Sequence, residues 1–381
     1  MQLIDYRLTD HISMLVRGKN YQSIWLDESD PSVVKVIDQQ KLPFVFETKE
    51  LRSVDDIYTA IKDMTVRGAP LIGAAAAFGI YLATLEITPA SNPMQHLANA
   101  ARYLISCRPT AVNLSIAVNR VMAELNEVKD EKVLSSVALR AALQFCEAEK
   151  ENCRLIGING LPLLKEISRK KNGETVNVLT HCNAGWLACI DYGTVTSPLY
   201  LAHESGIPVH IWVDETRPLN QGARLTAWEL GEAGIPYTLV TDNTGGHLMQ
   251  HGMVDLVITG CDRATKKGDV ANKTGTYLKA LAAYDNHIPF YAALPLSSFD
   301  MTISDGIQEI PIEERDPEEV THLSGLSGND IVTIRICPEN TTAVNYAFDV
   351  TPARLISGLI TEKGICKPDE KEIKKMFNNI K

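Results

Sequence analysis

Two short runs place acid–base residue types where open α/β proteins do chemistry. Residues 258–275 read ITGCDRATKKGDVANKTG. They continue an apolar run over 255–259 of the kind that makes a buried strand. Gly260 breaks the run, and Asp262-Arg263 stand just past the strand end. A polar loop around Gly268 is expected next, with Asn272-Lys273 leading into a helix over 274–284. The second run, Thr180-His181-Cys182-Asn183-Ala184-Gly185, ends another β-branched segment. A thiol in an apolar pocket keeps a high pKa and stays neutral, so it can donate a proton. A nearby carboxylate can move a second one. Each residue also has a plainer reading. Asp262 could cap the loop and pair with Arg263, and Cys182 could be one small buried thiol among eight. His181 is another acid or base, ranked below Cys182 as a structural histidine. Cys189 is expected in a helix, and Cys261 is expected to point into the core.

Two arginines carry an anion-binding signal. Arg67 and Gly68 precede Pro70, which suits the first turn of a helix. An arginine beside the free N–H groups of a helix start makes a phosphate site. Arg108-Pro109-Thr110 repeats that arrangement.

The elements that must position these residues fall into two patterns. Over 1–50, short apolar runs at 23–26, 33–37 and 44–46 suit a small antiparallel sheet. Ser53, with Asp56 three residues on, caps a helix whose apolar face is Val54, Ile57, Ile61 and Met64. Helices over 71–85, 110–124, 133–149 and 152–167 follow. The charged turn RKKNGE at 170–175 is read as the boundary between an N-terminal domain, 1–170, and a Rossmann-like domain, 171–381. Beyond it strands at 176–180, 209–213, 237–241, 256–259 and 289–294 alternate with helices. That alternation predicts a parallel sheet with right-handed crossovers. In the order 3-2-1-4-5, strands one and four are neighbours at the switch point. Cys182 and Asp262 then share a crevice, with Gln221 in the loop after strand two. An irregular acidic segment over 297–319, a strand at 331–336, a helix over 353–363 and a terminal helix over 369–380 complete the reading.

Composition excludes several classes. The chain has 381 residues, a formal net charge of -10, 45% hydrophobic and 22% charged residues. That balance is ordinary for a globular protein and gives nucleic acid no broad basic surface. No cysteine pair or Cys/His set has metal-site spacing. No GxGxxG or P-loop follows a strand, so no NAD and no other cofactor is expected. The first eleven residues, MQLIDYRLTDH, are too charged for a secretory signal. Residues 68–85 carry no charge but are rich in Ala and Gly, so they read as a buried helix and not a membrane span. The expected location is cytoplasmic.

The runs THCNAG, ETRPLNQGARLTAWEL, GCDRATKKGDVANKTGTY, AFDVTPARLISGLITEKG, RGAPLIGAAAAFG and CRPTAVNL resemble the 5-methylthioribose-1-phosphate isomerases, over residues 15–365. The resemblance implies a homodimeric, cofactor-free aldose–ketose isomerase of methionine salvage acting on a small sugar phosphate. It implies catalytic roles for Cys182 and Asp262, and substrate contacts from Arg67, Gly68, Ala69, Arg108, Gln221, Asn272 and Lys273. Departures from the family pattern at Cys261, Ala264, Ser115-Ile116, Leu294 and Tyr346 leave the C5 substituent open. A 5-deoxyribose 1-phosphate or ribose 1,5-bisphosphate isomerase is the alternative. So is a regulatory subunit of the translation initiation exchange factor, which has the same fold and need not keep this constellation.

Overall fold

A computed structural model describes residues 15–90, 92–108 and 112–378. Pro109 and Thr110, and the end of the expected terminal helix, lie outside them. Strands β1 (Ile24–Leu26), β2 (Val34–Ile37) and β3 (Thr48–Leu51) form the expected small antiparallel sheet. Helix α1 (Val54–Lys62) starts at Ser53, whose hydroxyl accepts the Asp56 N–H at 3.1 Å. Helix α2 (Ala69–Leu85) is buried from Pro70 to Thr84. Its small residues permit this: a Cβ on Gly73 would lie 2.9 Å from the Phe145 ring, and one on Gly79 would lie 2.8 Å from Leu104. Helices α3 (Pro93–Cys107), α4 (Val112–Asn126) and α5 (Leu134–Lys170) pack around it.

Helix α5 is continuous where two helices, 133–149 and 152–167, are expected. The polar stretch at 150–152 reads as a break. It is instead a solvated face, with Arg154 pairing to Glu151 at 2.7 Å. Gly157 and Gly160 are not breakers either. A Cβ on Gly157 would meet Ser197 Oγ at 2.0 Å, and one on Gly160 would meet Pro198 at 2.9 Å, so both serve close approach to helix α7 (Thr196–Glu204). The first half of α5 buries Ala138, Ala142 and Phe145 in the helical core. The second half buries Ile156, Leu161 and Leu164 against the large sheet.

That sheet has seven strands. In chain order they are β4 (Val176–Thr180), β5 (Val209–Asp214), β6 (Tyr237–Val240), β7 (Leu256–Thr259), β10 (Phe290–Ala293), β15 (Gly358–Thr361) and β16 (Gly364–Cys366). Their spatial order is β16-β15-β10-β7-β4-β5-β6, and every pair is parallel except β15–β16. The expected order 3-2-1-4-5 holds and is extended by two strands. The expected helix over 353–363 is a single turn, Ala353–Leu355, followed by β15. Ile356, Leu359 and Ile360 have helical spacing, yet all four residues of β15 are buried, which is the signature of a central parallel strand.

A second sheet overturns the polar-loop reading of residues 263–273. Strands β8 (Arg263–Thr265) and β9 (Val270–Lys273) form an antiparallel hairpin with Gly268 at φ +93° in its turn. Strands β11 (Phe299–Asp300) and β14 (Phe348–Thr351) flank it. The strand expected at 331–336 is present as β13 (Asp330–Arg335). It pairs with β12 (His322–Ser327) in a separate hairpin, apart from the large sheet.

Candidate active site

The cleft lies where the start of α2, the ends of β4 and β7, and the β8–β9 hairpin meet. Arg67, Gly68, Ala69, Arg108, Cys182, Gln221, Asp262, Asn272 and Lys273 all line it. Cys182 leaves β4 with φ +66°, a sparsely populated conformation for a non-glycine residue. Two hydroxyls hold it there. The Cys182 N–H donates to Thr216 Oγ1 at 2.9 Å, and Thr226 Oγ1 donates to the Cys182 carbonyl at 2.7 Å. Burial pushes the thiol up, while Arg67 and Lys273 pull it back. The result is a neutral thiol.

Asp262 sits past the end of β7, where its N–H donates to the Ala271 carbonyl at 2.9 Å. Burial raises its carboxyl, against the pull of Lys273, Arg67 and Arg108. The thiol and the carboxyl therefore open on one cleft and feel the same cations. Lys273 is lowered by burial and raised by Cys182 and Asp262, and its ammonium lies 4.8 Å over the Phe348 ring. Asn272 is fixed by donating to Thr276 Oγ1 at 2.9 Å.

Arg67 is buried and donates from Nη1 to Asn183 Oδ1 and from Nη2 to the Asn183 carbonyl, at 2.7 Å. Gly68 has φ +94°, and a Cβ there would lie 2.5 Å from the Ala188 Cβ, so only glycine brings α2 this close. Arg108 is the residue that caps the end of α3, and α4 is described from Val112 onward. Its Nη2 donates to Glu313 Oε2 at 2.8 Å. The Arg108 Nε and Gln221 Oε1 atoms are buried and have no partner among the described residues. Buried polar atoms in a native fold are otherwise almost always paired, so these two are available to a ligand.

His181 also lines the cleft, and both of its ring nitrogens have protein partners. Its Nε2 faces the Thr274 carbonyl at 2.9 Å and its Nδ1 faces Asp214 Oδ2 at 3.0 Å. Among the described residues, His181, Asp214 and Asp242 are spaced to hold a cation. The Lys279 ammonium already pairs with Asp214 there, 3.0 Å from Oδ2, and donates to the Asp242 backbone carbonyl at 2.6 Å. Cys189 lies in the short helix α6 (Trp186–Cys189), as expected. Cys261 is half-buried: it packs against the hydrophobic core beside β7, as expected, and also lines the cleft. Sequence reasoning missed Glu313, Asn183 and Glu229. Only the acidic character of 297–319 pointed toward the first.

A helical bundle joined to a mostly parallel sheet, with a cleft at the sheet's switch point, defines the class. The chain belongs to the Initiation factor 2 subunit family, whose model matches residues 65–368. More particularly, it is 55% identical over 364 residues to the methylthioribose-1-phosphate isomerase of Desulfatibacillum aliphaticivorans, covering 96% of this chain and 99% of that one. It is 52% identical over 366 residues to the enzyme of the same name from Sinorhizobium medicae, covering 96% and 99%. Among solved structures, the 5-methylthioribose 1-phosphate isomerase of Pyrococcus horikoshii matches with a TM-score of 0.82 and 38% identity, over 94% of this chain and 96% of that one. The translation initiation factor eIF-2B subunit delta from A. fulgidus matches with a TM-score of 0.78 and 39% identity, over 94% and 100%.

Proposed function

We propose that this chain converts 5-methylthioribose 1-phosphate to 5-methylthioribulose 1-phosphate, with Cys182 and Asp262 moving the protons. The observation that carries the reading is that these two residues, eighty positions apart, open on one cleft among the cationic side chains of Arg67, Arg108 and Lys273. Identity of 38% to an isomerase structure and 39% to a subunit-delta structure does not separate those two names. The curated relatives at 52–55% identity, nearly full length on both sides, support the isomerase.

The 1-phosphate locks the sugar in its ring, so no aldehyde is free to enolise. Opening the ring puts a proton on the ring oxygen as the bond from C1 to that oxygen breaks. Hydrogen then moves from C2 to C1, and the C2 hydroxyl gives up its proton to become a ketone. One proton is delivered and one removed, so substrate and product have the same formula. The Cys182 thiol is a donor at neutral pH. The Asp262 carboxyl, raised by burial and pulled back by cations, suits a group that both gives and takes a proton. Arg67 and Arg108 suit the phosphate, in charge-assisted hydrogen bonds. The apolar side chains of Ile72, Val112, Ile310 and Phe348 line other parts of the cleft and suit a methylthio group better than a second phosphate.

A homodimer belongs to the same reading, supported by apolar Leu326, Ile334 and Ile336 on or beside the β12–β13 hairpin, all more than half exposed. A cytoplasmic location also belongs to it, supported by eight free thiols. No helix among the described residues is long and apolar enough to cross a membrane.

The test is ketose formation by purified protein from 5-methylthioribose 1-phosphate, 5-deoxyribose 1-phosphate and ribose 1,5-bisphosphate, in the presence of EDTA and without nucleotide. The methylthio sugar is expected to have the highest kcat/KM. No turnover of any of the three would overturn the reading. Preference for the bisphosphate would move the assignment to that substrate.

A further inference from the structure

Glu229, in helix α8 (Ala227–Glu232), is fully buried, and nothing in the proton chemistry above uses it. Four donors converge on its carboxyl. Asn183 Nδ2 and the Leu187 N–H reach Oε1 at 3.1 and 2.9 Å. The Trp186 N–H and the Tyr200 hydroxyl reach Oε2, each at 3.2 Å. Only an ionised carboxylate accepts from four donors at once. The carboxylate also presses on the loop that follows Cys182. A Cβ on Gly185 would lie 1.7 Å from Glu229 Oε2, so glycine alone fits there.

These bonds settle which way the Asn183 amide faces. Thr226 Oγ1 gives its proton to the Cys182 carbonyl and is left as an acceptor, 3.2 Å from Asn183 Nδ2. Glu229 Oε1 is the second acceptor on that side. The amide nitrogen is therefore held toward Glu229 and Thr226, and Oδ1 is turned to Arg67, whose Nη1 donates to it. A flipped amide would set its two N–H bonds against a guanidinium that can only donate.

We propose that Glu229 is a positioning residue: its carboxylate fixes the Asn183 amide and, through it, holds the Arg67 guanidinium at the cleft. The proposal rests on the reading of Arg67 as a substrate contact. Burial raises the Glu229 carboxyl to about 7, against Asn183, the Leu187 N–H, Tyr200 and the charge of Arg67, so the experiment belongs at pH 8.

The experiment measures calorimetric Kd for 5-methylthioribose 1-phosphate, alongside KM and kcat, in Arg67→Ala, Glu229→Leu, Glu229→Gln and the Arg67→Ala/Glu229→Leu double variant. Glu229→Leu keeps the bulk and removes both acceptors. It is expected to weaken Kd and KM about tenfold or more, as for a lost hydrogen bond to a charged group, with kcat changed less. Glu229→Gln keeps one acceptor for Asn183 and is expected to recover most of that loss. The double variant is expected to bind no worse than Arg67→Ala alone, because Glu229 acts through Arg67. Additive losses would show a merely structural role and overturn the proposal. Weak binding in Arg67→Ala with unchanged binding in Glu229→Leu would overturn it while leaving the substrate reading intact. Unchanged binding in Arg67→Ala would instead remove the substrate reading on which it rests. If Glu229→Leu does not fold, Asn183→Ala carries the same cycle with Arg67→Ala. Collapse of both variants counts against the proposal.

Discussion

At the scale of single residues, the cleft sets a neutral thiol and a buried carboxyl among cations, of which Arg67 is tied to Asn183 and Arg108 to Glu313. Arg108 shows how such a cation is kept ready. Glu313 accepts one of its N–H bonds, yet its Nε has no partner among the described residues. Removing the guanidinium takes away a charge-assisted contact worth about 1.5–3 kcal/mol. It also leaves Glu313, a carboxylate held below its usual range by Arg108 and Arg315, facing an incoming phosphate. Arg108→Ala is therefore expected to raise KM for the sugar phosphate by about 10–100-fold, with a smaller effect on kcat. Adding Glu313→Gln is expected to recover part of the loss, by removing the repulsion. Steady-state kinetics on the two variants decide this, and an unchanged KM in Arg108→Ala would remove it from the site. Cys182 and Asp262 were legible in the sequence because both sit just past apolar strands, and the switch-point rule then brings them together. Asn183, Glu229 and Glu313 were not. Their parts depend on which way a buried amide or carboxyl faces, and residue type does not encode that.

At the scale of elements, the alternation of strands and helices was legible, whereas the β8–β9 hairpin, strand β15 and the continuity of α5 were not. The five parallel strands are rich in apolar or β-branched residues, although Asn177 and His210 interrupt two of them, and helix α2 is apolar along its whole length. The β8–β9 hairpin has strands of only three and four residues, with two lysines and a glycine in its turn, so it looked like a loop. Strand β15 mimicked a helix because three apolar residues fell at helical spacing. The joint between α2 and the Trp186–Cys189 helix is the element contact on which the cleft depends, and glycine makes it possible. Gly68 and Gly206 both have positive φ, at +94° and +76°. A Cβ on Gly206 would meet nothing within 4 Å, whereas one on Gly68 would overlap Ala188. Gly206→Ala is expected to cost about 1 kcal/mol of backbone strain. Gly68→Ala is expected to cost clearly more and to lower activity, since Arg67 precedes it. Equal melting temperatures for the two variants would contradict the close approach.

At the scale of the whole molecule, α5 ties the helical core to the sheet, and a carboxyl is buried midway along it. Glu149 is 4% exposed, and its Oε2 has no partner among the described residues. Burial and the nearby charge of Glu362 raise it from 4.5 to about 7. The folded chain thus keeps a proton that the unfolded chain releases between about pH 4.5 and 7. Stability contributed by this group is complete below that window and falls as pH rises through it. At 1.36 kcal/mol per pKa unit the loss is at most about 3 kcal/mol. Glu149→Gln is expected to melt at a higher temperature than the parent at pH 8, with the difference closing toward pH 4.5. Melting curves that stay parallel across that range would show that Glu149 carries no such proton.

The central claim is that Cys182 and Asp262 act as one proton-moving unit, and turnover of 5-methylthioribose 1-phosphate in variants of both tests it. Cys182→Ala and Asp262→Asn are each expected to lower kcat by about 10²–10⁴-fold, the range for lost acid–base help. The double variant is expected to be little worse than the poorer single one, because residues acting as a unit are not additive. Cys366→Ala, on β16 away from the cleft, is expected to keep the parent rate. A fully active Asp262→Asn enzyme, or losses that multiply in the double variant, would contradict the claim.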